Sequence, residues 1–275
     1  MIDPQYHWCL PIDITNICNR ACSNCTRMVG HSSTFCMDTE QFSGIIDAIK
    51  DFPQKSPPTK SEGAPNFKLI GLIGGEPLFH PKFPELLDIL KRKVPKENRG
   101  LWTSLDWQHT KHAEIIEDSF TPPRIHNNRH DLNQSQHSPV LVAIQDVIKN
   151  SVQMWKIINN CWLQKRWCGS ITPKGYFFCE VAGVFDWVFN GPGGLPVESE
   201  CWKRPLVDFQ SQIDQWCPMC GVPLQLKGRI DSEEIDDISQ SNLDLLEGSP
   251  RVQKSDYILY RDENETVSKP WEYKT

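Results

Sequence analysis

Apolar and polar residues alternate along Leu10-Pro-Ile12-Asp-Ile14-Thr15, the two-residue period of a strand. The run Phe67–Ile73 is nearly all apolar, as a strand covered on both faces reads. The same logic predicts a third strand at Gly100–Ser104, a fourth at Arg124–Asn127 and a fifth at Pro139–Ile144. Between them the period lengthens to that of helices. Asp38-Thr-Glu-Gln41 has the form of a capping box and opens a helix with Phe42, Ile45, Ile46 and Ile49 on one face, which Pro53 is expected to end. Pro84 starts a second helix, with Leu86, Leu87, Leu90 and Val94 facing inward. His109–Phe120 is a third, carried by Ile115 and Ile116. The stretch 53–65, rich in Pro, Ser and Lys, predicts a surface loop too polar to pack. Strands alternating with helices predict right-handed βα units around a parallel sheet.

Past about residue 152 this rhythm stops, and Trp, Cys and Gly become frequent. Ile171–Cys179 reads as a hairpin that turns at Pro173–Gly175. Cys217-Pro-Met-Cys220-Gly221 reads as a knuckle, two thiols one turn apart with a glycine that lets the backbone reverse. Three regions follow: an α/β core over 1–151, a cysteine-rich region over 152–230 and an acidic segment over 231–275. The tryptophans of the second region (155, 162, 167, 187, 202 and 216) are expected in core packing.

The chain has 275 residues and eleven cysteines. No apolar run nears the roughly 20 residues that span a bilayer, and the first residues lack the basic and apolar parts of a signal peptide. A cytoplasmic protein with no membrane partner is the expectation, and there so many cysteines point to metal or redox chemistry rather than disulfides. Net charge is −6, placed unevenly. Residues 231–275 hold twelve acidic and five basic side chains, while the rest of the chain nearly balances, with 23 acids and 24 bases. That balance excludes general nucleic-acid binding, which needs a basic surface. The acidic segment itself is expected to be solvated surface.

The candidate chemistry starts at Cys18-Asn-Arg-Ala-Cys22-Ser-Asn-Cys25, directly after the first strand. Three thiolates on one compact loop can ligate three irons of a cubane and leave the fourth to an outside ligand. A zinc site is the alternative, but zinc usually closes with four protein ligands in paired knuckles. The second strand runs into Gly74-Gly75-Glu76-Pro77.

These two motifs, in this order, resemble those of the radical S-adenosylmethionine (SAM) enzymes. The resemblance implies a partial (β/α)6 TIM-like barrel. It implies a [4Fe-4S] cluster on Cys18, Cys22 and Cys25 whose open iron chelates SAM. Reductive cleavage of SAM would then yield a 5′-deoxyadenosyl radical. It also implies SAM contacts from Gly74, Gly75, Glu76 and Pro77, and an electron donor such as flavodoxin or ferredoxin. Asn24 stands where the family commonly has an aromatic residue, so a cofactor contact there lacks a stacking ring. Ser104, at the end of the third strand, is a candidate for the SAM ribose.

The second cysteine set resembles the twitch extension, a short form of the SPASM domain, which holds one auxiliary [4Fe-4S] cluster. The matching positions are Cys161, Cys179, Cys217 and Cys220, with Cys168 as rival for the first and Cys201 as spare. A structural zinc ribbon would use the same four thiolates. Cys9 and Cys36 are expected to be ordinary buried or partly buried thiols. An auxiliary cluster with no open iron suits electron transfer, so the resemblance favours dehydrogenation of a polar, sugar-like small molecule, as in the enzymes that oxidise aminocyclitols. Epimerisation, with Cys168 or Cys201 as hydrogen donor, peptide modification and a non-catalytic zinc or cluster scaffold are the alternatives. His126, Arg129 and His130, near the end of the fourth strand, are candidates for binding the substrate.

Overall fold

A computed structural model describes residues 1–128, 135–167 and 169–261. The strands are β1 Cys9–Thr15, β2 Leu69–Gly74, β3 Arg99–Thr103, β4 Ile125–Asn127, β5 Gln136–His137, β6 Ser170–Thr172, β7 Gly175–Phe177, β8 Arg229–Ile230, β9 Asp236–Ile238 and β10 Tyr257–Leu259. Six of them form the central sheet, in the order β4-β3-β2-β1-β6-β7. It is parallel except at its last pair, where β7 returns antiparallel to β6. The chain is therefore an α/β protein around a mostly parallel sheet.

Every residue of β1 is buried, although its sequence alternates. The polar member of the alternation, Asp13, is neutralised internally rather than solvated, as shown below. Helices α1 Thr39–Ile49 and α3 Phe83–Lys93 pack against each other beside the sheet. The N-cap half of the capping box forms, the Asp38 carboxylate accepting the Gln41 N–H at 2.7 Å, while the Gln41 amide donates to Pro173 O at 2.8 Å instead of turning back to Asp38. Phe42, Ile45, Ile46 and Ile49 are all buried, each contributing about 1.5–3 kcal/mol by the area it removes from water. Helix α4 covers only Ala113–Ser119, because the chain before it takes a 3-10 turn at Trp107–His109.

Several expectations need correction. Pro53 does not end α1. That helix stops at Ile49, and Pro53 instead sits in the first turn of the short helix α2 Phe52–Lys55, where its missing N–H costs nothing. The loop after it does not wander. Lys60 N–H bonds to Tyr6 O at 2.9 Å, Glu62 N–H to Lys165 O at 3.0 Å, and the Lys60 ammonium lies 3.8 Å above the Tyr6 ring. Backbone pairing and a cation–π contact fix what composition alone leaves loose.

The segment Pro139–Ile144 is not a fifth strand of the sheet. Val140 to Ile144 are buried, but their backbone groups are satisfied elsewhere. Gly221 N–H bonds to Val140 O, Ser239 N–H to Leu141 O, and Ala143 N–H to Ser239 Oγ. The apolar run is core but not ladder, because C-terminal segments supply its partners. The sheet grows instead on the other side of β1, through the β6–β7 hairpin, where Ile12 pairs with Ile171.

The acidic segment is not merely solvated surface. Asp231, Asp236, Ile238, Ser239, Asn242, Ser249 and Arg251 are buried, and the strands β9 and β10 pair in parallel. Residues 262–275 lie outside the described structure. Among the described residues no helix is long and apolar enough to cross a membrane.

His7 ties the N-terminal turn to the entry of the hairpin. Its Nδ1 accepts the Gly169 N–H at 3.1 Å, so the proton sits on Nε2, which donates to Gln164 O at 2.9 Å. Burial pushes its pKa down from 6.5 to about 4. The unfolded chain therefore takes up a proton at higher pH than the folded one. The stabilisation is present above pH 6.5 and is lost as pH falls towards 4, by about 3 kcal/mol. Denaturant titrations at pH 7, 5.5 and 4 are expected to show this loss, and a His7→Gln variant is expected to show less of it.

Candidate functional site

The parallel strands β1 to β4 all end at one edge of the sheet, the edge where open α/β folds bind their ligands. There the segments after the strands enclose a cleft of about 550 Å³. Cys18, Cys22 and Cys25 line it from the loop after β1, Gly74 and Gly75 from the end of β2, and Ser104 from the end of β3. Among the described residues no other cysteine lines it.

The two glycines explain how the first two segments meet. Gly75 N–H bonds to Thr15 O at 2.8 Å, and Glu76 N–H to Ile17 O at 2.7 Å. A Cβ on Gly74 would stand 2.0 Å from Thr15 O, and one on Gly75 would stand 2.5 Å from Ile17 O. Only glycine lets the end of β2 lie flat against the backbone that leads into the cysteine loop. Glu76 is fully buried and is not among the residues that line the cleft. Its Oε1 accepts from Thr103 Oγ1 at 2.7 Å, and its Oε2 accepts from Ser104 N and Oγ, both at 2.8 Å. The carboxylate thus fastens the ends of β2 and β3 together. Pro77 is buried and opens the 3-10 turn Pro77–Phe79.

The back of the cysteine loop is held by the acidic segment. Asn24 takes a left-handed conformation, φ 51°, which asparagine tolerates. Its Nδ2 donates to Asp237 Oδ2 at 2.8 Å, its Oδ1 accepts the Asp237 N–H at 2.8 Å, and its own N–H bonds to Asp236 Oδ1 at 2.6 Å. Asn24 is therefore a loop anchor that faces β9 and does not line the cleft. Asp236 also pairs with His31 Nε2 and with Arg251 Nε, each at 2.8 Å, and Arg251 Nη1 reaches Ala21 O at 2.8 Å.

His126 lies beside the cleft and not among its lining residues. Its ring is stacked on Trp102, centroids 4.3 Å apart, and edge-on to Trp8. Strand alternation sends Asn127 the other way, and it is Asn127 and Asn128 that line the cleft. Burial lowers the His126 pKa. Arg129 and His130 lie outside the described residues.

One wall of the cleft carries charges that sequence reasoning missed. Arg27 pairs with Asp13 at 3.1 Å and with Glu180 at 3.2 Å, all three buried. Ser170 Oγ donates to Asp13 at 2.6 Å, and Trp167 Nε1 to Glu180 Oε2 at 2.7 Å. Burial raises the Glu180 pKa, ahead of the opposing pull of Arg27. Asp13 on a buried strand was the available signal, since an aspartate there requires an internal cation.

The second set of cysteines also converges. Cys161, Cys179, Cys217 and Cys220 line one small cavity whose other walls are largely apolar, among them Ile158, Phe178, Val181 and Trp216. Burial, then the neighbouring Cys161, pushes the Cys179 thiol up to about 12. Burial raises Cys217 and Cys220 well above the usual thiol value, helped by the other members of the set. In the cleft, burial lifts Cys18 to about 11 and Cys22 to about 12, with Cys25 contributing to both. Such thiols give up their protons only to something that replaces the positive charge.

Cys201 is buried in the main core and does not line this cavity, and Cys168 lies outside the described residues. Cys9 is buried and Cys36 exposed, and the described cysteines are all free thiols. Of the tryptophans, 202 and 216 are core, 162 is partly exposed and 167 faces the cleft. Among the described residues no three Cys, His, Asp or Glu side chains are drawn tightly enough together for a single metal ion.

No protein-family model matches the chain, and no curated protein matches it.

Proposed function

We propose that the chain is a radical SAM-type enzyme that oxidises a polar small molecule. The observation that carries this reading is the meeting of Cys18, Cys22, Cys25, Gly74 and Gly75 around one cleft at the C-terminal edge of a parallel sheet. The donor set fits the group: three soft sulfurs from one loop, with no fourth cysteine among the described residues of the cleft, leave an iron of a cubane for an outside ligand. In this reading β1–β4 correspond to part of a TIM-like barrel, and the hairpin with its four cysteines to a twitch-like extension. When bound, the cluster and SAM supply an electron and a sulfonium whose cleavage gives the radical that takes hydrogen from the substrate.

The protein's own residues do the rest. Cys18, Cys22 and Cys25 would hold the first cluster; Cys161, Cys179, Cys217 and Cys220 would hold the second. The convergence of those four thiols in an apolar cavity supports a cysteine-only site able to accept an electron from the oxidised substrate. Backbone groups of Gly74 and Gly75 face the cleft, where they can meet the amino acid part of SAM. Ser104 Oγ is committed to Glu76, so its contribution to a ribose is as an acceptor. Asn127, Asn128 and Gln136 offer amides to hydroxyl groups, and Trp167 screens the wall from water. A flavodoxin- or ferredoxin-type protein would supply the electron.

Anaerobic reconstitution with iron and sulfide tests this. The expected result is about eight irons per chain for two four-iron clusters, with 5′-deoxyadenosine formed from SAM under dithionite. Zinc retained in place of iron, with no 5′-deoxyadenosine, would favour a scaffold.

A further inference from the structure

Arg20 lines the cleft from the turn between Cys18 and Cys22. Its side chain is half-buried, and its Nε is shut off from water with no hydrogen-bond partner. Among the described residues the guanidinium makes neither a hydrogen bond nor an ion pair. A guanidinium offers five N–H donors in a planar fork, and a covered donor left unmet is costly.

The other guanidinium in the lining differs. Arg27 Nε and Nη2 also lack hydrogen bonds, but Asp13 and Glu180 stand 3.1 and 3.2 Å from its fork. An anion arriving there would meet two buried carboxylates. Neither of them answers Arg20: Glu180, the one carboxylate among the described lining residues, is held towards its neutral form by burial and otherwise responds to Arg27 and Asp13. Asp231 acts on Cys22, yet it is buried and does not line the cleft. The proposed cofactors do not consume the charge either. A resting [4Fe-4S] core on three thiolates is singly negative and SAM singly positive, so the two cancel. Arg20 is left as a cation in want of acidic oxygens, which its fork can take two at a time.

We propose that Arg20 receives the phosphate or carboxylate of the substrate and so selects an anionic small molecule. Asn127 and Asn128, which line the same cleft, can donate amide N–H groups to its remaining oxygens. Such a substrate is opposite in charge to an aminocyclitol. Arg20 is then a specificity-determining residue. This rests on reading the cleft as the substrate site of a radical SAM-type enzyme.

Glucose 6-phosphate and glucose carry the same ring, one with a phosphate and one without. Equilibrium dialysis of the reconstituted full-length protein, with SAM bound and at pH 7, is expected to show at least a tenfold preference for the phosphate. Arg20→Gln is expected to erase that preference and to leave the iron content unchanged. Phenylglyoxal, which labels guanidinium groups, reads the same contact without a variant. Glucose 6-phosphate is expected to slow labelling of Arg20 at least fivefold, measured by peptide mass spectrometry, and glucose to leave it unchanged. Equal binding of the two sugars by the wild-type protein would overturn the proposal. So would labelling of Arg20 that ignores the phosphate, or a preference that survives in Arg20→Gln. Dialysis against labelled SAM separates the other source of a carboxylate. The variant is expected to bind SAM within twofold of wild type, and a tenfold loss would assign Arg20 to SAM and overturn the proposal. 5′-Deoxyadenosine formed by the wild-type protein under dithionite reads the parent assignment separately. Its absence beside an intact preference for the phosphate sinks only the radical SAM reading.

Discussion

Replacing Cys18, Cys22 or Cys25 singly by alanine is expected to abolish 5′-deoxyadenosine formation and to halve the iron, from about eight to about four per chain. A loop with three sulfurs has none to spare. Each lies in the lining of the cleft, and no other cysteine among the described residues is there to replace it. Replacing Cys217 is expected to remove the other four irons. SAM binding in the cleft should survive that change, since the two sites open on different sides of the Cys179–Glu180 step. Cys36→Ala, on an exposed residue, serves as the control. Iron analysis and chromatography of the products read all three. Loss of activity with all the iron retained would mean that the loop does not hold a cluster.

Asp236→Ala is expected to be nearly as damaging, although Asp236 touches no part of the cleft. Its carboxylate is 3% exposed and joins the Asn24 N–H, His31 and Arg251. Removing it leaves a guanidinium and an imidazole buried without their anion, a loss on the order of 3–5 kcal/mol. Arg251 also holds Ala21 O, between Cys18 and Cys22, so the cysteine loop loses its backing. The thermal midpoint should fall, and the iron bound by the loop should be lost before the iron of the four-cysteine set. Asp244→Ala serves as the comparison, since that residue lies outside this network. Equal loss from both sites would mean that Asp236 supports the fold as a whole and not the loop.

The parts that could be read from the chain are those where local sequence carries its own partners. The N-cap at Asp38 needs only the Gln41 N–H, three residues on, and the hairpin at Pro173–Gly175 needs only its two flanking strands. Both formed, although the Gln41 side chain bonds Pro173 O and leaves the capping box half made. The C-x3-C-x2-C loop and the paired glycines are short motifs with a built-in geometry, and they meet at the cleft. The convergence of Cys161 with Cys179, Cys217 and Cys220 was also legible, as an implication of family resemblance rather than of spacing.

What could not be read depends on partners far away in sequence. Val140–Ala143 looks like a strand because burial alone sets its composition, and its hydrogen bonds go to Gly221 and Ser239. Asn24 sits where a cofactor contact was expected, yet it is bonded to residues more than 200 positions later. The acidic segment looked like solvated surface because many of its carboxylates are, among them Glu233, Glu234, Asp244 and Glu247. Asp231 and Asp236 are buried exceptions among the described residues, and nothing in their neighbours says so. Glu180 was hidden for the same reason: its partners, Arg27 and Trp167, come from separate elements.

The central claim is that the cysteine loop carries a cluster with one iron left to an outside ligand. An iron anomalous difference map from crystals reconstituted anaerobically tests it most directly. The account predicts two four-iron peaks. One lies against Cys18, Cys22 and Cys25 with its fourth iron facing the cleft. The other lies among Cys161, Cys179, Cys217 and Cys220. A single metal ion at the loop, closed by a fourth protein side chain, would contradict it.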